Sequence, residues 1–282
     1  MLGRWNDYRI KKFDNQDLMI IIGELINSTR DVIKEKIEDR DAEYIQDIAQ
    51  QQVDAGADYV DVNSGAFVWD EIEHLIWLVE TVQEVVDTPL SLDSPNEEAI
   101  KKAAEIHDGI PMINSITAEE ERYKKVLPLI QEYDAKVVAL CLSDEGMPET
   151  ADQRLKIADK LMNDLEKDGV PLDNVFIDPI IKPISVDGKF GYQVLDTISG
   201  ITEWDTDVHI TCGLSNISFG LPNRSLLNQA FLMMAMDRGL DSGIIDPLDE
   251  HMMKLIKAAE VLLNRDDYGQ RYLKACRSGE MD

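Results

Sequence analysis

Cysteine is scarce in this sequence. Cys141, Cys212 and Cys276 are an odd number set far apart along 282 residues, which excludes the disulfide framework of a small secreted domain and fits a reducing compartment. Long apolar runs are missing too. The most apolar windows, residues 18–22 and 137–142, are broken by charge or turn residues within a few positions, far short of a bilayer span. The opening MLGRWNDYRIKKFDNQD has no apolar core of a secretory signal, so a cytoplasmic location is expected. Basic residues are outnumbered, 28 to 55, and the net charge of -27 repels nucleic acid and anionic membranes. The acidity reads as a solvated surface, with steering of a basic protein partner as the second reading.

No Gly/Ser-rich or Pro-rich linker and no low-complexity tract interrupts the chain, so a single domain is expected at 18–282, preceded by an extension at 1–17. That extension holds Trp5, Tyr8 and Phe13 and is expected to cover one end of the domain. What the chain does contain is one repeated pattern. Apolar runs of strand length recur as LMIIIGELIN, YVDVNS, PLSLDS, PMINS, KVVALCLSD, VFIDP, VHITCGLSN and SGIIDP. Between them, residues 70–86, 96–107, 119–133, 151–168 and 223–238 carry apolar side chains at helical spacing. Ser94-Pro95-Asn96-Glu97, Thr117-Ala118-Glu119-Glu120 and Thr150-Ala151-Asp152-Gln153 read as capping boxes, and Gly56, Gly109, Gly169 and Gly239 fall near helix ends.

Eight doubly buried strands alternating with helices predict an α/β fold, a (β/α)8 barrel of the TIM type. An open doubly wound sheet is the runner-up, but GELINST offers only Gly23 where a dinucleotide binder has a glycine-rich turn. In a barrel the site is built on the strands' C-terminal ends. Those ends read Glu24 and Asn27, Asp61 and Asn63, Asp93, Asn114, Asp144, Asp178, Ser215 and Asn216, and Asp246. Carboxylates and amides dominate, which suits a neutral heterocycle rich in hydrogen-bonding groups.

An Asp or Asn at a strand end is often only a cap or a turn. Here Ser94 and Thr117 are the expected caps, leaving Asp93 and Asn114 free; Pro179 bars Asp178 from a helical conformation, and Asn216 lies well before the next helix start. Asp144 and Asp246 are left out, because SDEG reads as a turn and Asp246 can cap its own helix. His209 and Cys212 lack the further ligands a zinc site needs, so no metal is expected on this chain. FLMMAM (231–236) reads as core or subunit interface, and no G-x-S-x-G elbow is present.

As a set, GELIN, DVNSG, SLDS, MINS, IDP and GLSNISFGLPNR closely resemble the pterin-binding methyltransferases that move a methyl group between tetrahydrofolate and a corrinoid protein. These are relatives of the folate domain of cobalamin-dependent methionine synthase and, more distantly, of dihydropteroate synthase. The resemblance runs from about Leu18 to Leu263. It implies that Asp93, Asn114 and Asp178 bind the amide and amino edge of the pterin, and that Asn216 reaches the methyl-bearing N5 as the catalytic group. Asp61, Asn63, Gly213, Ser215 and Arg224 complete the implied pocket. It further implies a cobalamin brought by a separate corrinoid protein and, commonly, a homodimer. Two alternatives stay open: a dihydropteroate synthase-like enzyme, for which the cations serving a diphosphate leaving group are missing at Ser215-Asn216-Ile217 and Ser28-Thr29-Arg30, and a non-catalytic folate-binding module.

Overall fold

A computed structural model describes residues 18–204 and 206–281; the extension expected at 1–17 lies outside them. Strand β1 (Ile20–Asn27) leads through helices α1 (Asp31–Glu38) and α2 (Ala42–Asp54) to β2 (Tyr59–Asn63). Then come α3 (Glu71–Gln83), β3 (Leu90–Asp93), α4 (Glu97–Ala104), β4 (Met112–Thr117), α5 (Glu120–Tyr133) and β5 (Lys136–Leu140). The second half continues with α6 (Ala151–Lys167), β6 (Val175–Asp178), α7 (Lys189–Thr202), β7 (His209–Ile210), α8 (Arg224–Asp237) and β8 (Ser242–Ile245). Helices α9 (Glu250–Leu262) and α10 (Gln270–Ser278) follow. All eight expected strands form, in one parallel sheet ordered β7-β6-β5-β4-β3-β2-β1-β8.

The sheet closes at its shortest strand. VHITCGLSN predicts a longer β7 than the two residues observed, because the chain leaves the ladder and winds into a 3-10 turn at Leu214–Ser218. The seam is joined by Ile244 N donating to Cys212 O (2.9 Å) and, one layer down, by Asp241, whose carboxylate accepts from Ile210 N (2.7 Å) and bonds His209 Nδ1 (3.0 Å). His209 stacks on Phe176 at 4.6 Å between centroids, so it belongs to the packing of the barrel interior.

Strand alternation explains how an apolar core ends in a polar mouth. Side chains two apart on a strand share a face. Ile22, Met112, Val138 and Phe176 pack together inside the barrel, at no more than 1 % exposure. Two residues further along three of the same strands stand Glu24, Asn114 and Asp178, joined by Asp61 and Asp93 from β2 and β3. The sequence therefore places a carboxylate or amide one layer above three of the four, and Leu140 above Val138, at the end where a parallel barrel carries its site.

One departure from strict alternation matters. Between Gly23 and Ile26, β1 gains one residue relative to β2, a bulge that lets both Glu24 and Asn27 face the mouth although they are three apart. Leu25 N, released from the ladder, donates to Oε1 of the buried Gln52 on α2 (3.0 Å). Gly23 makes room for that contact, since a Cβ there would lie 2.4 Å from Gln52 Oε1.

The caps are corrected in two cases of three. Thr150 forms the expected box with Gln153. Ser94 does not cap α4: Asn96 does, accepting from Glu98 N, while Ser94 Oγ accepts from Asn96 N and donates to Glu71 Oε1. Thr117 ends β4 and accepts from Glu119 N (3.3 Å), a two-residue turn before α5. Both hydroxyls close turns between strand and helix because the chain needs extra residues to leave the sheet before helical geometry begins. Asp93 and Asn114 remain free of capping either way. The four glycines expected at helix ends all have positive φ.

Gly23→Ala is expected to push Gln52 out of its contact and destabilise the protein by about 1–3 kcal/mol, read from urea unfolding. Wild-type stability would remove the bulge contact from the account.

Candidate active site

The barrel mouth holds a cavity of about 290 Å³. Seven of the nine expected site residues line it: Asp61, Asp93, Asn114, Asp178, Gly213, Ser215 and Asn216. The other two stand behind the wall. Asn63 donates from Nδ2 to Asp93 Oδ2 (2.8 Å), while its Oδ1 accepts from Ser28 Oγ (3.1 Å) and Gly65 N (3.0 Å). Arg224, at the start of α8, donates to Ser215 O (2.7 Å) and Ser218 Oγ (3.1 Å), holding the 3-10 turn that carries Asn216. Glu24, Asn27, Thr29 and Arg30 from β1 and the segment after it, with Leu140, Ile180, Ile181 and Ile244, complete the lining. Asp144, set aside on the sequence, accepts from Glu120 N at the start of α5, and Asp246 accepts from Leu248 N in a turn.

Four carboxylates in so small a space affect one another. Burial pushes Asp61 well above the ordinary carboxylate range, reinforced by the Asp93 charge and opposed by Ser91 Oγ (2.6 Å) and Asn114 Nδ2 (3.3 Å). Burial raises Asp93 to about 6 against the Asn63 hydrogen bond, and Glu71 adds to the rise. Asp178 is likewise raised by burial to about 6, opposed by the backbone N–H groups of Ile180 and Gly213 and by Arg154. Burial also raises Glu24, against Arg30 (2.8 Å) and Ser215 Oγ (3.2 Å). The floor of the site is thus a set of acceptors poised between charged and neutral, short of donors of its own.

Two arginines that the sequence presents as ordinary helix residues fix the surrounding loops. Arg122 of α5 donates to Ser94 O, Pro95 O and Ser115 O, tying together the segments after β3 and β4. Arg154 of α6, fully buried, donates to Pro179 O (2.7 Å) and Ile180 O (3.4 Å), setting the segment after Asp178. Neither carries a spacing signal, since a charge in an amphipathic helix ordinarily reads as solvated. Cys141 and Cys212 are buried, and burial pushes both thiols up, which leaves them protonated and unreactive. Among the described residues no cluster of three His, Cys, Asp or Glu side chains is arranged to hold a metal ion.

A profile of the family described as pterin binding enzyme matches residues 23–246. The chain is 37% identical over 265 residues to a methylcorrinoid:tetrahydrofolate methyltransferase of Eubacterium limosum, covering 93% of this chain and 98% of that one. It is 30% identical over 251 residues to methionine synthase of Mycobacterium tuberculosis, covering 84% of this chain and 21% of that much longer protein. Among solved structures, dihydropteroate synthase from Xanthomonas albilineans, in complex with 7,8-dihydropteroate, superposes with a TM-score of 0.67 at 17% identity over 87% of this chain and 93% of that one. The dihydropteroate synthase of Vibrio fischeri superposes equally well at 18% identity, over 89% and 94%. These likenesses establish the fold as a TIM barrel.

The raised carboxylates carry a sign. An acid raised in the folded state favours the protonated protein, so stability declines as pH climbs from about 4 through about 6 and stays lowered above. Asp93→Asn is expected to stabilise the ligand-free protein at pH 7.5 by about 1–2 kcal/mol, after allowance for solvent at the mouth, and not at pH 4. Urea unfolding at the two pH values checks it; equal effects at both would remove the buried charge as the cause.

Proposed function

The chain belongs to the pterin-binding enzymes, and we propose that it moves a methyl group between N5 of tetrahydrofolate and the cobalt of a corrinoid carried by another protein. The observation that carries this reading is the acceptor-rich floor of the mouth. The amide and amino edge of a pterin presents neighbouring N–H donors, and Asp93, Asp178 and the side-chain oxygen of Asn114 are matched acceptors facing one cavity. Ligand donors would supply what the site lacks, and would offset the repulsion between Asp61 and Asp93.

Asn216 takes the other end of the ring. It sits on the 3-10 turn beyond β7, braced by Arg224 through Ser215 O, where its amide is assigned a hydrogen bond to N5. A methyl on a tertiary amine departs poorly because the nitrogen left behind is basic, so hydrogen bonding to N5 lowers the barrier. Gly213 keeps the approach open: a Cβ at that position would come within 3.3 Å of Asn216 Nδ2. Asn63 and Arg224 act one step removed, by orienting Asp93 and the Asn216 turn.

The same pocket serves both directions of transfer, toward the corrinoid or from a methylcorrinoid. A dihydropteroate synthase activity is not favoured, because the mouth offers a diphosphate little positive charge: Arg30 is the one cation among the described lining residues, and Glu24 already engages it. The corrinoid protein would dock over the mouth, with the acidic surface steering a complementary face. A homodimer is proposed through α8, where Leu226 and Met234 are exposed while Phe231, Leu232, Ala235 and Met236 anchor the helix, or through the exposed Leu262 at the end of α9. No described helix is long and apolar enough to cross a membrane, and a cytoplasmic location is proposed.

Anaerobic mixing with cob(I)alamin and methyltetrahydrofolate is expected to give methylcobalamin, followed by its absorbance. Running the reaction from methylcobalamin and tetrahydrofolate measures the opposite direction. Folate binding without transfer to either free cobalamin or the native corrinoid protein would favour a binding module. Asn216→Ala is expected to lower transfer about 10–100-fold, in keeping with a lost hydrogen bond of about 1–3 kcal/mol, with folate binding little changed. Wild-type turnover would remove Asn216 from the reaction.

A further inference from the structure

Each methyl transfer moves one proton at N5, and Asn216 cannot carry it. When the N5–methyl bond breaks, its electron pair stays on nitrogen and must be protonated to give neutral tetrahydrofolate; in the opposite direction N5–H must be lost. The titratable lining residues are Glu24, Arg30, Asp61, Asp93 and Asp178. Asp93 and Asp178 are engaged at the amino edge by the reading above. Asp61 lies beneath them, bonded to Ser91 and Asn114. Arg30 is spent on the ion pair with Glu24.

Glu24 is left, and its position is distinctive. Two-residue alternation from Ile22 points it into the cavity on the side of the Asn216 turn, where its Oε2 accepts from Ser215 Oγ (3.2 Å), one residue before Asn216. Its Oε1 accepts from Arg30 (2.8 Å), which is about two-fifths exposed, whereas the Glu24 side chain is only 13 % exposed. We infer that Glu24 is the group that gives the proton to N5 when the methyl leaves for a cobalt(I) corrinoid, and takes it back when a methylcorrinoid is the donor. In the first direction the N5–C bond breaks and the carbon bonds to cobalt, using the cobalt electron pair. The carboxyl proton passes to N5, leaving Glu24 as a carboxylate bonded to Ser215 and Arg30. The inference rests on the methyltransferase reading.

The charges around Glu24 come from four elements: Arg30 beyond β1, Asp246 after β8, Arg224 at the start of α8, and Asp61 on β2. Burial outweighs the cations and raises the carboxyl, so it keeps its proton to a higher pH than an exposed glutamate. Transfer from methyltetrahydrofolate should therefore slow as pH rises through that group, while transfer from the methylcorrinoid should quicken.

The test is steady-state transfer in both directions from pH 5 to 8.5, with cobalamin as the corrinoid, alongside calorimetric folate binding. Glu24→Gln is expected to bind methyltetrahydrofolate within about threefold of wild type, to lose about 100-fold or more in kcat, and to flatten both pH profiles; Glu24→Asp should restore part of the rate. Arg30→Gln, altered at a partly exposed side chain, should move both profiles to higher pH and stands as the independent check if Glu24→Gln does not fold. Undiminished kcat in Glu24→Gln, a rate loss matched by lost folate binding, or profiles unmoved in Arg30→Gln would each overturn the assignment. Absence of transfer by the wild-type protein would instead strike at the methyltransferase reading itself.

Discussion

Two-residue alternation along eight parallel strands is the constraint from which the rest of the molecule follows. The same register that points Ile22, Met112, Val138 and Phe176 at one another in the barrel interior points Glu24, Asn114 and Asp178 into the space above them. A slip of one residue on β2, β3 or β6 would bury a carboxylate among the outer helices and lift an aliphatic side chain into the mouth. Packing thus enforces the geometry of the site. The apolar layer, with no more than 1 % exposure, is a rigid base on which acceptors from different strands keep fixed spacings.

That base supports an arrangement that is electrostatically unfavourable when nothing is bound. Asp61, Asp93, Asp178 and Glu24 are all pushed up by burial, and Asp93 and Asp61 oppose each other's ionisation. Side-chain amides, serine hydroxyls and backbone N–H groups moderate the strain without neutralising it. Arg122 and Arg154 contribute from behind, and both spend their hydrogen bonds on loop carbonyls instead of on the carboxylates. The site is left hungry for donors at its floor, an instance of folding stability given up where ligand recognition needs it.

Much of this was legible in the amino acids, and the parts that were not share a physical reason. Strands ending on Asp61, Asp93, Asn114 and Asp178 announce themselves because a polar residue closing a β-branched run breaks the apolar pattern. The roles of Ser94 and Thr117 do not, because a hydroxyl two residues before a helix and one at its cap look the same until the turn geometry is known. Asn63 stands on β2 beside Asp61 and reads as another wall residue, yet its neighbours Ser28, Gly65 and Asp93 turn it into a support. Arg154 offers no signal at all: its helix is amphipathic with or without it, and its burial depends on where the segment after β6 passes. Glu24 was visible at the mouth, but its contact with Ser215, 191 residues away in sequence, was not.

The brevity of β7 gives the barrel one place where the ladder is thin. Past Ile210 the chain keeps few strand contacts before it winds into Leu214–Ser218, and one of the main ties on that turn is the grip of Arg224 on Ser215 O. The segment bearing Asn216 is therefore placed by packing and by that side-chain grip, with Leu214 and Ile217 buried, while the remaining seven strands are placed by their ladders.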